Sequence, residues 1–161
     1  MKTDIQTLVS QHFIDNYARF YRLAYRYLGQ EADAQDAVQE AAYKAILKCR
    51  SLRSPEWIDT WLYRIVINES LSILRKNCRQ TDGDAVLEQL PTRDSYQDLD
   101  LREAIARLDT LDQTIINLRF FEELKLNQIA SITRQPLSKV KSRLYRAMKK
   151  LKLSLTEEGS Q

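Results

Sequence analysis

Asp33, Asp36 and Glu40 recur at steps of three and four residues, which would line them along one face of a helix. Clustered carboxylates can ligate a metal or exchange protons. A carboxylate metal site in a helical bundle also draws on histidines, however, and the 161-residue chain has only His12. Cys49 and Cys78 lack the close pairing of a zinc knuckle. The sequence has no glycine-rich phosphate loop and no serine-nucleophile elbow. These features imply no enzyme active site, no metal and no cofactor. The carboxylates then read as a solvated face, with Asp33 and Glu31 also favouring a helix N-terminus. His12 falls on the edge of an aromatic face and reads as structural.

The basic residues are more informative. From Leu124 to Thr156 there are nine bases and no acid, whereas Asp82 to Asp112 holds nine acids and three bases. The net charge of +3 conceals this segregation. A phosphate backbone responds to local field, so the basic stretch points to nucleic acid, with an acidic protein as the other candidate partner.

Helices must position these groups. Hydrophobic residues make up 43% of the chain, enough for a core, while three Gly and three Pro argue against a barrel or sandwich of many tight turns. No apolar run is long enough to span a bilayer, so no stable membrane insertion is expected. Met1-Lys2-Thr3-Asp4 does not open a signal peptide, and the sparse cysteines fit a reducing cytoplasm.

The spacing predicts an all-α chain of two small domains, 5–79 and 99–155, joined by a flexible acidic linker, 80–98. A helix over 12–28 would carry Phe13, Tyr17, Phe20, Tyr21, Ala24, Tyr27 and Leu28 on one face and stop at Gly29. A second would run from Glu31 to Lys48, turning Val38, Ala41, Ala42, Ala45 and Ile46 inward. Ser54-Pro55 would open a third that buries Trp57, Trp61, Leu62 and Ile65 and ends near Lys76. Within the linker, Ala85-Val86-Leu87 offers at most a short helix. Beyond it, Leu101, Ile105 and Leu108 share a face, and Thr110 with Gln113 forms a candidate capping box.

A short helix over 124–131, a turn at Thr133-Arg134-Gln135 and a basic helix from Pro136 to about Leu153 have the outline of a helix-turn-helix. In the last helix Val140, Leu144, Ala147 or Met148, and Leu151 face inward. Lys139, Ser142, Arg143 and Arg146 are candidates for groove contact, and Lys141 and Lys149 for phosphate contact.

These residues carry a family likeness. Asp33-Ala34-Gln35-Asp36-Ala37-Val38-Gln39-Glu40, the Trp57–Asn68 segment with Trp61-Leu62, Ile65 and Asn68, and Gln128-Ile129-Ala130 followed by Val140-Lys141-Ser142-Arg143-Leu144-Tyr145-Arg146-Ala147 together resemble the extracytoplasmic-function (ECF) sigma factors of the sigma-70 family. The resemblance implies a first domain that binds core RNA polymerase and the melted −10 element, and a second that reads the −35 element of promoter DNA. It puts Asp36, Gln39 and Glu40 on the polymerase-facing helix. Around the −10 DNA it places Arg50, Ser51, Leu52 and Arg53 in a loop that would hold a flipped base, with Arg64, Asn68, Arg75, Lys76 and Arg79 nearby. Asn68 could equally be a structural amide. The −35 set is Lys139, Lys141, Ser142, Arg143, Arg146 and Lys149. An anti-sigma factor is a further implied partner.

The chain departs from the family pattern at Ser72, where Asp is common, and at Asp112, where proline is usual. Lys125 and Gln128 replace the Ser and Glu of a capping box, Arg134 replaces a turn glycine, and Ser138-Lys139 replaces Gly-Thr. The other reading of the chain is a helix-turn-helix regulator that acts without being a polymerase subunit.

Overall fold

The computed structural model describes residues 4–80 and 96–159, with side-chain surroundings for 4–79 and 101–153. The chain divides into two compact helical units, Met1–Gln80 and Thr81–Gln161. Most of the expected linker, including Ala85-Val86-Leu87, lies outside the described residues.

The first unit contains α1 (Ile5–Asp15), α2 (Tyr17–Leu28), α3 (Glu31–Leu47) and α4 (Ile58–Gln80). The expected helix over 12–28 is thus two helices, interrupted at Asn16, whose side-chain amide donates to His12 O at 2.9 Å. Asparagine readily bonds nearby backbone in this way, and the local bond competes with helix continuation. Tyr17, just after the break, is exposed instead of joining the aromatic face. Gly29 ends α2 in the left-handed conformation, φ 73°, with its N–H on Tyr25 O at 2.8 Å.

Helices α2, α3 and α4 pack on one another, and α1 packs against α3. Small residues on α3, Ala34, Ala37, Ala41 and Ala45, allow close approach of its neighbours. Phe20 fills the centre, its ring 5.0 Å from Phe13 and edge-on to Tyr63 at 5.6 Å.

The buried face of α4 differs from the expected one. Ile58, Leu62, Tyr63, Val66, Ile67 and Ser70 are buried, whereas Trp57 is 55% exposed and Trp61 and Ile65 are half-buried. Trp57 belongs to a 3-10 turn, Pro55–Trp57, that precedes the α-helix, so its four-residue spacing to Trp61 does not carry it onto the same face. On α3, Ile46 is exposed and Ala42 half-buried, again narrowing the expected apolar stripe.

The second unit contains α5 (Tyr96–Ala106), α6 (Thr110–Ile116), α7 (Leu126–Thr133) and α8 (Leu137–Gly159), with a π turn at Asn117–Phe121. α8 packs on α5, α6 and α7, burying Val140, Leu144, Ala147 and Leu151, while Met148 remains exposed.

The capping chemistry also differs from expectation. Asp109, not Thr110, precedes α6, and Gln113 donates its amide backwards to Ala106 O at 3.1 Å and Leu108 O at 2.8 Å. Substitution at Lys125 and Gln128 does not leave the start of α7 uncapped. The Lys125 N–H donates to Gln128 Oε1 at 2.9 Å, and Asn127 Oδ1 accepts from Gln128 N–H at 2.9 Å. An amide thus does the work of the glutamate, and the neighbouring asparagine does that of the missing serine.

Candidate nucleic-acid interface

In the second unit the connection between α7 and α8 is a tight helix-turn-helix joint. Arg134 closes α7 in the left-handed region at φ 57° and ψ 40°. Gln135 N–H then reaches back to Ala130 O at 3.1 Å, the bond of a Schellman motif, although the left-handed position carries a side chain. Pro136 O accepts from Val140 N–H at 3.1 Å as α8 begins.

The surface of α8 sorts cleanly by azimuth. Lys139, Lys141, Ser142, Arg146 and Lys149 are all exposed, and Tyr145, at 64% exposure, stands among them. At about 100° per residue, Ser142, Tyr145, Arg146 and Lys149 lie opposite the buried Val140–Leu144–Ala147–Leu151 stripe. This outward face joins cations to an aromatic ring, a combination suited to phosphates and base edges.

Arg143 lies elsewhere. Its Nη1 donates to Asp109 Oδ2 at 2.9 Å and to Asp112 Oδ1 at 3.1 Å, and its side chain is 25% exposed. The hydrogen bonds to Asp109 and then Asp112 hold its pKa above the usual arginine value. Asp112, one of the departures from the family pattern, is therefore the buried partner of a residue expected to face DNA. Its acidic side chain directly after Leu111, in the first turn of α6, was the available signal.

In the first unit, Asp36, Gln39 and Glu40 are exposed together on the face of α3 opposite its alanines. Asp33 is half-buried and accepts from Asn77 Nδ2 at 3.1 Å, joining α3 to the end of α4. Lys44 on α3 makes an ion pair with Glu69 on α4, and its pKa is raised chiefly by the hydrogen bond to that carboxylate. His12 Nε2 lies 2.5 Å from Asp59 Oδ1, tying α1 to the start of α4.

Within the expected −10 loop, Arg50, Ser51 and Arg53 are exposed, but Leu52 is only 7% exposed and anchors the loop to the core. Ser51 Oγ donates to Lys48 O at 2.6 Å, fixing the turn from within. Along α4, Asn68, Arg75, Lys76 and Arg79 are exposed and Arg64 is half-buried. Arg64, Asn68, Arg75 and Arg79 fall within about 60° of one another around the helix axis, and Lys76 lies one step further round. Exposed Trp57, beyond the residues expected there, stands one turn past this loop.

A Sigma-70 region 2 family model matches residues 13–80, and a Sigma-70 region 4 model matches 98–151. RNA polymerase sigma factor SigV of Bacillus subtilis is 40% identical over 160 residues, covering 98% of this chain and 96% of the relative. The chain belongs to the ECF group of the sigma-70 family. ECF sigma factor SigW of B. subtilis is 29% identical over 157 residues, with 86% of this chain and 84% of SigW covered. The sigma factor RpoE of Bartonella quintana, solved with the anti-sigma factor NepR, superposes with a TM-score of 0.72 at 26% identity, covering 91% of this chain and 95% of that one. CnrH, solved with the cytosolic domain of CnrY, shares the fold at a TM-score of 0.73 and 18% identity, with 95% and 96% covered.

This sigma factor therefore directs RNA polymerase to promoters, and the reading as a regulator independent of polymerase falls away. Sigma factors are not themselves enzymes. Among the described residues no three His, Cys, Asp or Glu side chains gather as a metal site, and no helix is long and apolar enough to cross a membrane.

Proposed function

We propose that the two units divide promoter recognition between them. Residues 5–79 bind core polymerase through Asp36, Gln39 and Glu40. They take the −10 DNA on the exposed Arg50, Ser51 and Arg53 of the loop that Leu52 anchors, and on the Arg64, Asn68, Arg75, Lys76 and Arg79 region of α4. Residues 99–155 read the −35 element with the outward face of α8, where Lys139, Ser142 and Arg146 meet base edges and Lys141 and Lys149 meet phosphates. The acid-rich sequence between α4 and α5 links the two sites. The observation that carries the reading is the exposed basic and aromatic face of α8, set behind a tight helix-turn-helix joint.

The sigma factor works in the cytoplasm, where core polymerase is found. An anti-sigma factor restrains it, a partner type supported by the complex of the RpoE relative with NepR. Two weak DNA contacts held on one polymerase reinforce each other because the second is intramolecular once the first is made.

Separate substitutions test the division. Glu40→Lys is expected to weaken association with core polymerase in a pull-down or fluorescence titration. Arg146→Ala is expected to leave that association intact and to reduce −35-dependent promoter binding, with a discrimination loss of about 1–3 kcal/mol at any base pair it reads. Equal effects of both variants in both assays would overturn the assignment.

A further inference from the structure

We propose that Arg143 is a positioning residue for promoter reading, tying α8 to the start of α6 through Asp109 and Asp112 and so setting how the outward face of α8 meets DNA. The proposal rests on α8 being the −35 reader.

Three observations carry it. One guanidinium nitrogen, Nη1, donates to both carboxylates, and a second, Nε, is buried inside the unit with no acceptor among the described residues. Asp112 is 8% exposed, so withdrawal of Arg143 toward a base would leave a buried carboxylate without this cation. Arg143 also sits on the flank of α8, about 100° of rotation from Ser142 on the outward face and about 60° from the buried Val140. A base-reading arginine needs a free fork directed into the groove, whereas this one braces the helix from the side. Asp109 precedes α6 and Asp112 lies in its first turn. The clamp thus joins the reader helix to a neighbouring helix at a point separate from the α7–α8 turn.

Reconstituted holoenzyme can be titrated with promoter duplexes carrying every single substitution of the −35 element, at temperatures below the measured Tm of each variant. Arg143→Ala and Asp112→Asn should each weaken −35-dependent binding by about tenfold, the weight of one charge-assisted hydrogen bond. The loss should be equal for every −35 sequence, with the ranking of bases and the salt slope left as in the wild type. The double variant should bind no more weakly than Arg143→Ala. The reversed pair, Asp112→Arg with Arg143→Asp, should recover part of the loss, and core polymerase association should be unchanged throughout.

The proposal is overturned if Arg143→Ala flattens preference at a single base pair. It is equally overturned if Asp112→Asn lowers Tm yet binds every −35 sequence as the wild type does, because a pair that only stabilises the unit would behave that way. In both cases the sequence-dependent wild-type binding leaves the reading of α8 standing. Wild-type holoenzyme with no −35 dependence would instead remove that reading and the clamp's role with it.

Discussion

Replacing Arg134 by glycine should stabilise the second unit, although it deletes a basic residue from the helix-turn-helix joint. Arg134 occupies φ 57° and ψ 40°, where its Cβ crowds the backbone. A residue with a side chain incurs about 1–2 kcal/mol in this region. Glycine removes that cost but returns about 0.5–1 kcal/mol by loosening the unfolded chain. The expected net gain is therefore about 0.5–1 kcal/mol. For a unit of this size, 1 kcal/mol corresponds to a Tm shift of about 4–8 °C, so a rise of roughly 2–8 °C is expected by calorimetry or circular dichroism. Arg134→Ala separates backbone from charge, since it removes the cation but keeps Cβ, and should give no comparable rise. A Tm for Arg134→Gly equal to or below that of the wild type would refute the reasoning. So would an Arg134→Ala variant as stable as Arg134→Gly.

Other perturbations have definite signs. Phe20→Ala should cost the first unit about 3–5 kcal/mol in urea unfolding, because a 1% exposed ring loses its packing against Phe13 and Tyr63; a loss below 1 kcal/mol would contradict that packing. Lys44 has a folded-state pKa above 10.5, so its pairing with Glu69 contributes stability that is complete below that value and is lost as pH rises through the folded pKa. The Tm gap between wild type and Lys44→Met should hold steady from about pH 7 to about pH 9 and narrow above the ordinary lysine value of about 10.4; a gap that widens on going alkaline would contradict the assignment. Gly29→Ala, which forces a side chain into φ 73°, should lower the Tm of the first unit by several degrees, about 1 kcal/mol.

Helical periodicity made much of the fold legible. Phe20, Val38, Leu62, Val140 and Leu144 all fall on buried faces, because repeating apolar residues at three and four positions report a helix stripe directly. Periodicity cannot report where a helix begins, and this misplaced Trp57: the spacing Trp57–Trp61 suggested one face, but a 3-10 turn changes the phase just before α4. It also passed over the interruption at Asn16, which arises from a side chain returning to the backbone and leaves no gap in the apolar pattern.

In the candidate sites, the local run of bases located the basic helix but not the duties of its cations. Arg143 and Arg146 are equivalent by composition, yet one faces Asp109 and Asp112 while the other is exposed. That distinction depends on carboxylates more than thirty positions away in sequence, brought close only by the packing of α6 on α8. Leu52 shows the same limit, since its loop was legible from sequence whereas its inward direction was set by the core it meets.

The most direct measurement is run-off transcription by core RNA polymerase, with and without this sigma factor, on a randomised promoter library. The account predicts start-site-specific transcripts only when the sigma factor is present, enriched for one −10 and one −35 sequence, with Arg146→Ala relaxing the −35 preference alone. Transcripts indifferent to the sigma factor, or a −35 preference unaltered by substitutions across the exposed face of α8, would contradict it.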